Sequence, residues 1–239
     1  MHSAPLQAVT FDFGQTLAEL DTGMLSRRLS ERGLAVAPER LYEALGAGWT
    51  AYNRAIRQGL GGHPWKTLMH AVLTHAGAPS EAVEPAVDWL WTEQPRANLW
   101  RRPIPGMIEL VRALRSRGVP VGVVSNSEGR LAELVEELGW SEDFVVIADS
   151  GALGMEKPSA GIFHWACERL GALPSRVVHV GDAWVADVEG ALGAGLRAVL
   201  FRGRETAPPD AELGRPGVAA CDDAVALRAL LRAWGLSGA

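Results

Sequence analysis

Residues Ala8 to Gly14 read AVTFDFG. A short run of β-formers without polar alternation, closed by glycine, predicts a strand buried on both faces. Asp12 stands at the end of that strand. A carboxylate there either caps a turn or carries chemistry, so the reading of the chain depends on what surrounds it.

From about Glu19 to Arg102 the texture is helical. LSRRLSERG, PERLYEALGAGWTAYNRAIRQG, WKTLMHAVLTHAG and SEAVEPAVDWLW place apolar residues three and four apart. Each is closed by Gly or opened by Pro or Ser, and no strand is expected in this stretch. After Pro103-Ile104-Pro105-Gly106 strands and helices alternate. VPVGVVS, DFVVIA, RVVHVG and LRAVLF read as strands; MIELVRALRSRG, GRLAELVEELG, SAGIFHWACERLG, WVADVEGALGAG and DDAVALRALLRAWG read as helices. Such alternation implies right-handed crossovers and a mostly parallel sheet. The expected fold is therefore α/β: a Rossmann-like parallel sheet covered by helices on both faces, with an inserted all-helical domain. The core takes residues 1–18 plus 103–239, and the helical insertion takes 19–102. RGRETAPPDAELGRPG reads as a surface loop.

At 239 residues the chain buries roughly 72% of its unfolded surface, so it needs neither disulfide nor metal to hold a core. A net charge of −5 argues against general nucleic-acid or anionic-membrane binding. Cys167 and Cys221 do not make a disulfide framework, and Cys167 reads as buried and inert. The N-terminus lacks the basic start and long apolar run of a signal peptide, and no membrane span is expected. These features together predict a cytoplasmic protein. Only Lys66 and Lys157 stand against 21 arginines, so each lysine needs a reason.

In an open parallel sheet, ligands bind beyond the carboxyl ends of the strands. The polar residues expected there are Asp12, Gly14 and Thr16; Ser125 and Asn126; Glu156-Lys157-Pro158; and Gly181-Asp182 with Asp187. That set suits a phosphoryl group and a divalent cation. Asp12 is positioned to attack phosphorus. Mg²⁺ prefers oxygen ligands, here Asp12, a nearby backbone carbonyl and Asp182. Lys157 offsets the gathered negative charge, while Ser125, the Asn126 amide and Thr16 donate to phosphate oxygens.

FDFGQTL (Phe11–Leu17), VVSNS (Val123–Ser127), EKPSAGIF (Glu156–Phe163) and GDAWVADVEGA (Gly181–Ala191) occur in that order. The chain thereby resembles the haloacid dehalogenase superfamily, and the helical insertion resembles the cap that follows that family's first motif. The resemblance implies Asp12 as nucleophile, Ser125 as phosphate ligand and Lys157 as the third-motif lysine. It implies Asp12, the Gly14 carbonyl, Asp182 and Asp187 around Mg²⁺, with Asp187 acting through water or by orienting Lys157. The expected partner is a small phosphorylated substrate, bound by a monomer or homodimer.

One position departs from the pattern. Family phosphatases often carry a general acid/base Asp two residues after the nucleophile, where this chain has Gly14. Three readings stand: the leaving group needs little protonation, a cap residue supplies the proton, or a phospho-ligand-binding protein remains. Phosphonatases also have a small residue there and use a cap lysine, which makes Lys66 a candidate beside its plainer reading as a surface lysine. Asp182 argues against the metal-free dehalogenases, which lack that acid. His63, His70 and His75 are candidates for the substitute acid, but the five-residue spacing of the last two does not suit a zinc pair. Trp49, Trp65, Trp89, Trp91 and Trp100 read mostly as core. Arg202 and Arg204 follow the last expected strand and read as a solvated loop.

Overall fold

The apolar run that opens the chain forms β1 (Ala8–Phe11), fully buried at the centre of the main sheet. A computed structural model describes residues 5–58, 64–202 and 213–236. After β1 come β2 (Ala18–Leu20), α1 (Thr22–Glu31), α2 (Pro38–Gln58), α3 (Pro64–His75), α4 (Ser80–Glu93) and β3 (Trp100–Pro103). Next are α5 (Met107–Arg115), β4 (Val121–Ser125), α6 (Leu131–Glu137), β5 (Val146–Asp149), the short α7 (Ser150–Leu153) and α8 (Ala160–Leu170). The chain continues through β6 (Val177–Gly181), α9 (Gly190–Gly193), β7 (Arg197–Phe201), β8 (Val218–Cys221) and α10 (Ala224–Ala233).

The described residues up to Glu19 and from Arg102 onward form one compact unit, and Leu20–Arg101 forms another. In the first, six strands lie in the order β5-β4-β1-β6-β7-β8, every pair parallel. The strands read as near-continuous apolar runs because both faces are covered. On one face Ile162, Phe163, Ala166 and Cys167 of α8 pack with Ala8, Val124 and Val177 from the strands. This is the expected Rossmann-like α/β fold.

The helical unit is built from α1 to α4. Arg28 donates to the Ala97 carbonyl at 2.9 Å, and the guanidiniums of Arg28 and Arg32 lie 5.0 and 5.4 Å from the Trp89 ring centroid. Trp65 packs 5.4 Å from Trp91 and 6.4 Å from Trp100. Trp49, Trp65 and Trp100 are buried, so these tryptophans are largely core. No described helix is long and apolar enough to cross a membrane.

Three strands were not expected. β2 and β3, at the two ends of the stretch read as wholly helical, pair as a two-stranded sheet. At three and four residues they are too short for a two-residue period to register, and their partners are distant in sequence. β8 lies between the expected loop and the expected last helix, and its small VAAC sequence becomes a strand by pairing with β7. Most of the expected surface loop, including Arg204, lies outside the described residues.

Both cysteines are free and buried; burial pushes the Cys167 thiol up to about 11 and that of Cys221 up to about 12. Because the thiolate is the reactive form, neither should react with a thiol-specific chromogenic disulfide in native protein at pH 8. Both should react once the chain is unfolded in guanidinium, and the absorbance change measures each stage.

Candidate active site

The strand order decides where chemistry can sit. From β1 the chain builds β4 and β5 on one side, then returns to build β6, β7 and β8 on the other. The connections diverge at the carboxyl end of β1, leaving a crevice there. Asp12 is the first residue beyond β1. Its N–H donates to the Val180 carbonyl at 2.8 Å, extending the parallel ladder by one residue. The carboxylate is thus fixed to a rigid sheet edge.

The chain turns sharply next, with the Leu17 N–H donating to the Phe13 carbonyl at 2.9 Å. Gln15 sits in the left-handed region at φ 57°, an uncommon place for a residue with a side chain. Thr16 Oγ1 and Gln15 Nε2 are buried without a hydrogen-bond partner among the described residues. Buried polar atoms are ordinarily satisfied, so these two set the turn apart.

Lys157 arrives from the loop before α8 and is held at its backbone by Asn126. The Asn126 Oδ1 accepts from the Lys157 N–H at 2.8 Å, while Nδ2 donates to the Lys157 carbonyl at 2.9 Å. Nζ donates to Asp12 Oδ1 and to Asp187 Oδ1, both at 2.6 Å. Burial opposes charge on this lysine, but Asp12 and Asp187 outweigh it and hold its pKa above the ordinary value. For Asp187, burial is likewise outweighed, by Lys157 and His179, and its carboxyl lies below the ordinary range. Asp12 is pushed upward, chiefly by burial and against the pull of Lys157.

Asp187 lies in a π-helical turn, Trp184–Glu189, where an α-helix was expected. The turn closes on itself: Asp187 N–H donates to the Ala183 carbonyl and Ala183 N–H to Asp187 Oδ2, both at 2.8 Å. Two glycines make room. A Cβ at Gly181 would stand 2.2 Å from Asp187 Cγ. A Cβ at Gly190 would stand 2.9 Å from Phe163 and 3.0 Å from the Pro158 Cα, so glycine there lets the turn approach the lysine loop.

The carboxylates of Asp12, Asp182 and Asp187 bring oxygen atoms within 4.8 Å of one another. Three carboxylates against one ammonium leave negative charge that a hard dication would balance. Asp187 already spends both oxygens on Lys157, His179 and Ala183. Asp187 is thus committed to positioning its neighbours, while the three carboxylates together form an oxygen-rich cluster of the kind a hard ion prefers.

Sequence reasoning thus named four groups that the fold brings together. Ser125 also ends β4 at this edge and is buried. Asn126 was expected to act through its backbone amide, yet its side chain is spent on Lys157. Gly14 lies in the turn, bridged to Ala18. Two nearby residues went unread. Asp149 ends β5, but it accepts from the N–H groups of Gly129, Leu131 and Gly151, which makes it a cap. His179 sits fully buried on β6 and touches Asp187; a histidine inside the apolar run VVHVG was the available signal.

Among the other candidates, Lys66 is a partly exposed lysine paired with Asp88 at 2.7 Å. His70 lies 3.9 Å from Glu84, and His75 Nδ1 lies 2.8 Å from the Ala71 carbonyl oxygen one helical turn back. His63 lies outside the described residues. Arg202 pairs with Asp222 through two hydrogen bonds of 2.8 and 3.1 Å.

A family model for haloacid dehalogenase-like hydrolases matches residues 6–195. The chain belongs to that family. The haloacid dehalogenase-like hydrolase domain-containing protein 3 of Bos taurus is 29% identical over 218 residues, covering 87% of this chain and 86% of that protein. The glyceraldehyde 3-phosphate phosphatase of Methanothermobacter thermautotrophicus is 35% identical over 106 residues, 44% of this chain and 47% of that one. A haloacid dehalogenase family hydrolase from Deinococcus radiodurans, solved with bound phosphate and sodium, superposes with a TM-score of 0.65 at 26% identity. It covers 99% of this chain and 100% of the other. The protein is thus an enzyme, a haloacid dehalogenase-like hydrolase.

Because Asp187 packs onto the Gly181 Cα, Gly181→Ala in this hydrolase should cost about 1–3 kcal/mol through overpacking. Urea unfolding followed by tryptophan fluorescence measures the loss, and the same substitution should lower turnover by displacing Asp187.

Proposed function

We propose that this hydrolase is a Mg²⁺-dependent phosphatase of small phosphorylated metabolites, working through an aspartyl-phosphate on Asp12. The observation that carries the reading is Lys157 Nζ, 2.6 Å from both Asp12 and Asp187 at the divergence of the sheet. An ammonium held there neutralises charge that phosphate would otherwise meet. The phosphatase relative and the phosphate-bound relative support the same substrate class.

In this reading an Asp12 carboxylate oxygen attacks phosphorus, the ester P–O bond breaks, and the leaving oxygen takes its electron pair. Water then attacks the phosphoryl group, releasing inorganic phosphate and returning the Asp12 carboxylate. Asp12, Asp182 and the Gly14 carbonyl would hold Mg²⁺, which would supply charge neutralisation at the phosphoryl oxygens. Ser125 and Thr16 donate to those oxygens. Asp187 and Asn126 fix Lys157 from its head and from its backbone. The helical insertion, residues 19–102, takes the role of cap that the family resemblance implies.

Gly14 offers no side chain to protonate the leaving group. Positioned acid catalysis typically contributes about 10²- to 10⁴-fold, so the enzyme favours esters whose leaving group is acidic. Lys66, the candidate for the imine route of the phosphonatases, is a partly exposed side chain paired with Asp88 at 2.7 Å, which favours its plainer reading as a surface lysine.

Phosphate release from p-nitrophenyl phosphate tests this reading, since that leaving group departs without a donor. Wild type should turn over with Mg²⁺ and stop on chelation. Asp12→Asn should lower kcat by more than about 10³-fold. Absence of turnover in the wild type, or full activity in the variant, would overturn the assignment. In a separate measurement, Mg²⁺ should raise the wild-type melting temperature. The rise should shrink in Asp12→Asn, which has lost one ligand charge.

A further inference from the structure

Thr10 on β1 and His179 on β6 face each other in register. Thr10 Oγ1 lies 2.9 Å from His179 Nδ1, and His179 Nε2 lies 3.2 Å from Asp187 Oδ1. The same Asp187 oxygen receives Lys157 at 2.6 Å, and Lys157 in turn holds Asp12 at 2.6 Å. Five side chains from four segments therefore make one buried line, running from inside the sheet to the residue proposed as nucleophile. The ring is packed edge-on against Phe163, with centroids 5.1 Å apart, and is fully buried.

Hydrogen counting along this line fixes its direction. Asp187 accepts from Lys157 and from the Ala183 N–H, as an ionised carboxylate does, and has no proton to give the ring. His179 must donate from Nε2. With Nε2–H given to Asp187, a neutral ring presents Nδ1 as an acceptor, and the Thr10 hydroxyl 2.9 Å away is the donor in register to fill it. The threonine sets the tautomer, the tautomer orients Asp187, and Asp187 aims the lysine.

We infer that His179 is a positioning residue of the reaction, holding Asp187 and through it Lys157 in line with Asp12, with Thr10 fixing its Nε2–H tautomer. This rests on the reading of Asp12 and Lys157 as catalytic. The inference concerns a residue that touches no reacting atom. The Ala183 N–H anchors Asp187 Oδ2, while Oδ1, the oxygen that carries Lys157, has His179 as its rigid donor. Outer-layer partners of this kind typically change activity by about 10- to 100-fold.

The test uses the whole protein with p-nitrophenyl phosphate and Mg²⁺. His179→Leu should lower kcat about 10- to 100-fold while KM changes little. His179→Gln, whose amide nitrogen reaches the Nε2 position, should recover most of the loss. His179→Asn, which reaches only the Nδ1 side, should not. Wild-type kcat in His179→Leu, or equal losses in all three variants, would overturn the proposal and leave the ring as packing. A second readout needs neither activity nor a folded variant. Imidazole ¹⁵N spectra of the histidine-labelled wild type, with His179 identified by its contact with Thr10, should show a neutral Nε2–H ring. A charged ring or an Nδ1–H ring would overturn the relay. If the wild type does not release phosphate, the phosphatase reading fails while this spectrum still decides the relay.

Discussion

One lysine between two buried carboxylates organises this molecule. Lys157 Nζ lies 2.6 Å from Asp12 and 2.6 Å from Asp187, with its side chain almost wholly removed from water. Buried charges are costly unless partnered, and removing one member of such a set typically costs about 3–5 kcal/mol. The fold therefore has to deliver all three groups together. The strand order does most of this, since β1 stands beside β6 and the lysine loop returns over the sheet edge. Asn126 grips the lysine backbone, and Gly190 lets the Asp187 turn approach Pro158.

The same arrangement separates duties among four acids that the sheet edge gathers. Asp149 is consumed by three backbone N–H groups and stabilises loops. Asp187 is consumed by Lys157, His179 and Ala183, and so orients a cation instead of binding one freely. Asp12 accepts from Lys157 at its Oδ1 and lies with Asp182 at the same sheet edge. Hydrogen-bond partners, more than residue type, sort these carboxylates into structural, positioning and reactive roles. The excess of negative charge in the cluster gives a physical reason for a dication beside the lysine.

The turn after Asp12 is where local rules are broken. Gln15 adopts a positive φ, and both it and Thr16 leave buried polar atoms without partners among the described residues. Native structures tolerate such features where function requires them. Gly14, between Asp12 and this strained residue, provides a backbone carbonyl but no acid. The chain thus combines an intact charge-balancing apparatus with a plain position where a proton donor often stands.

Much of this was legible before any coordinates. Uniformly apolar strands such as AVTF and VVHVG identify a sheet covered on both faces, and alternation with amphipathic helices identifies it as parallel. Strand ends then mark Asp12, Ser125 and Asp182, because an open parallel sheet binds ligands there, and Lys157 stands just before α8. The rarity of lysine singled out Lys157. What one dimension does not contain is which atoms meet across distant segments. The β2–β3 pair and β8 depend on partners too far away for their own residues to signal. The Asn126 clamp on the lysine backbone, the capping duty of Asp149 and the contact from His179 to Asp187 all require separate segments to be superposed. Sequence by itself determined the apolar strands β1, β4, β5, β6 and β7 and most of the residues at their tips, since periodicity and backbone chemistry are local. Tertiary structure alone decided how each carboxylate is spent, because hydrogen-bond partnership is a property of distances in space.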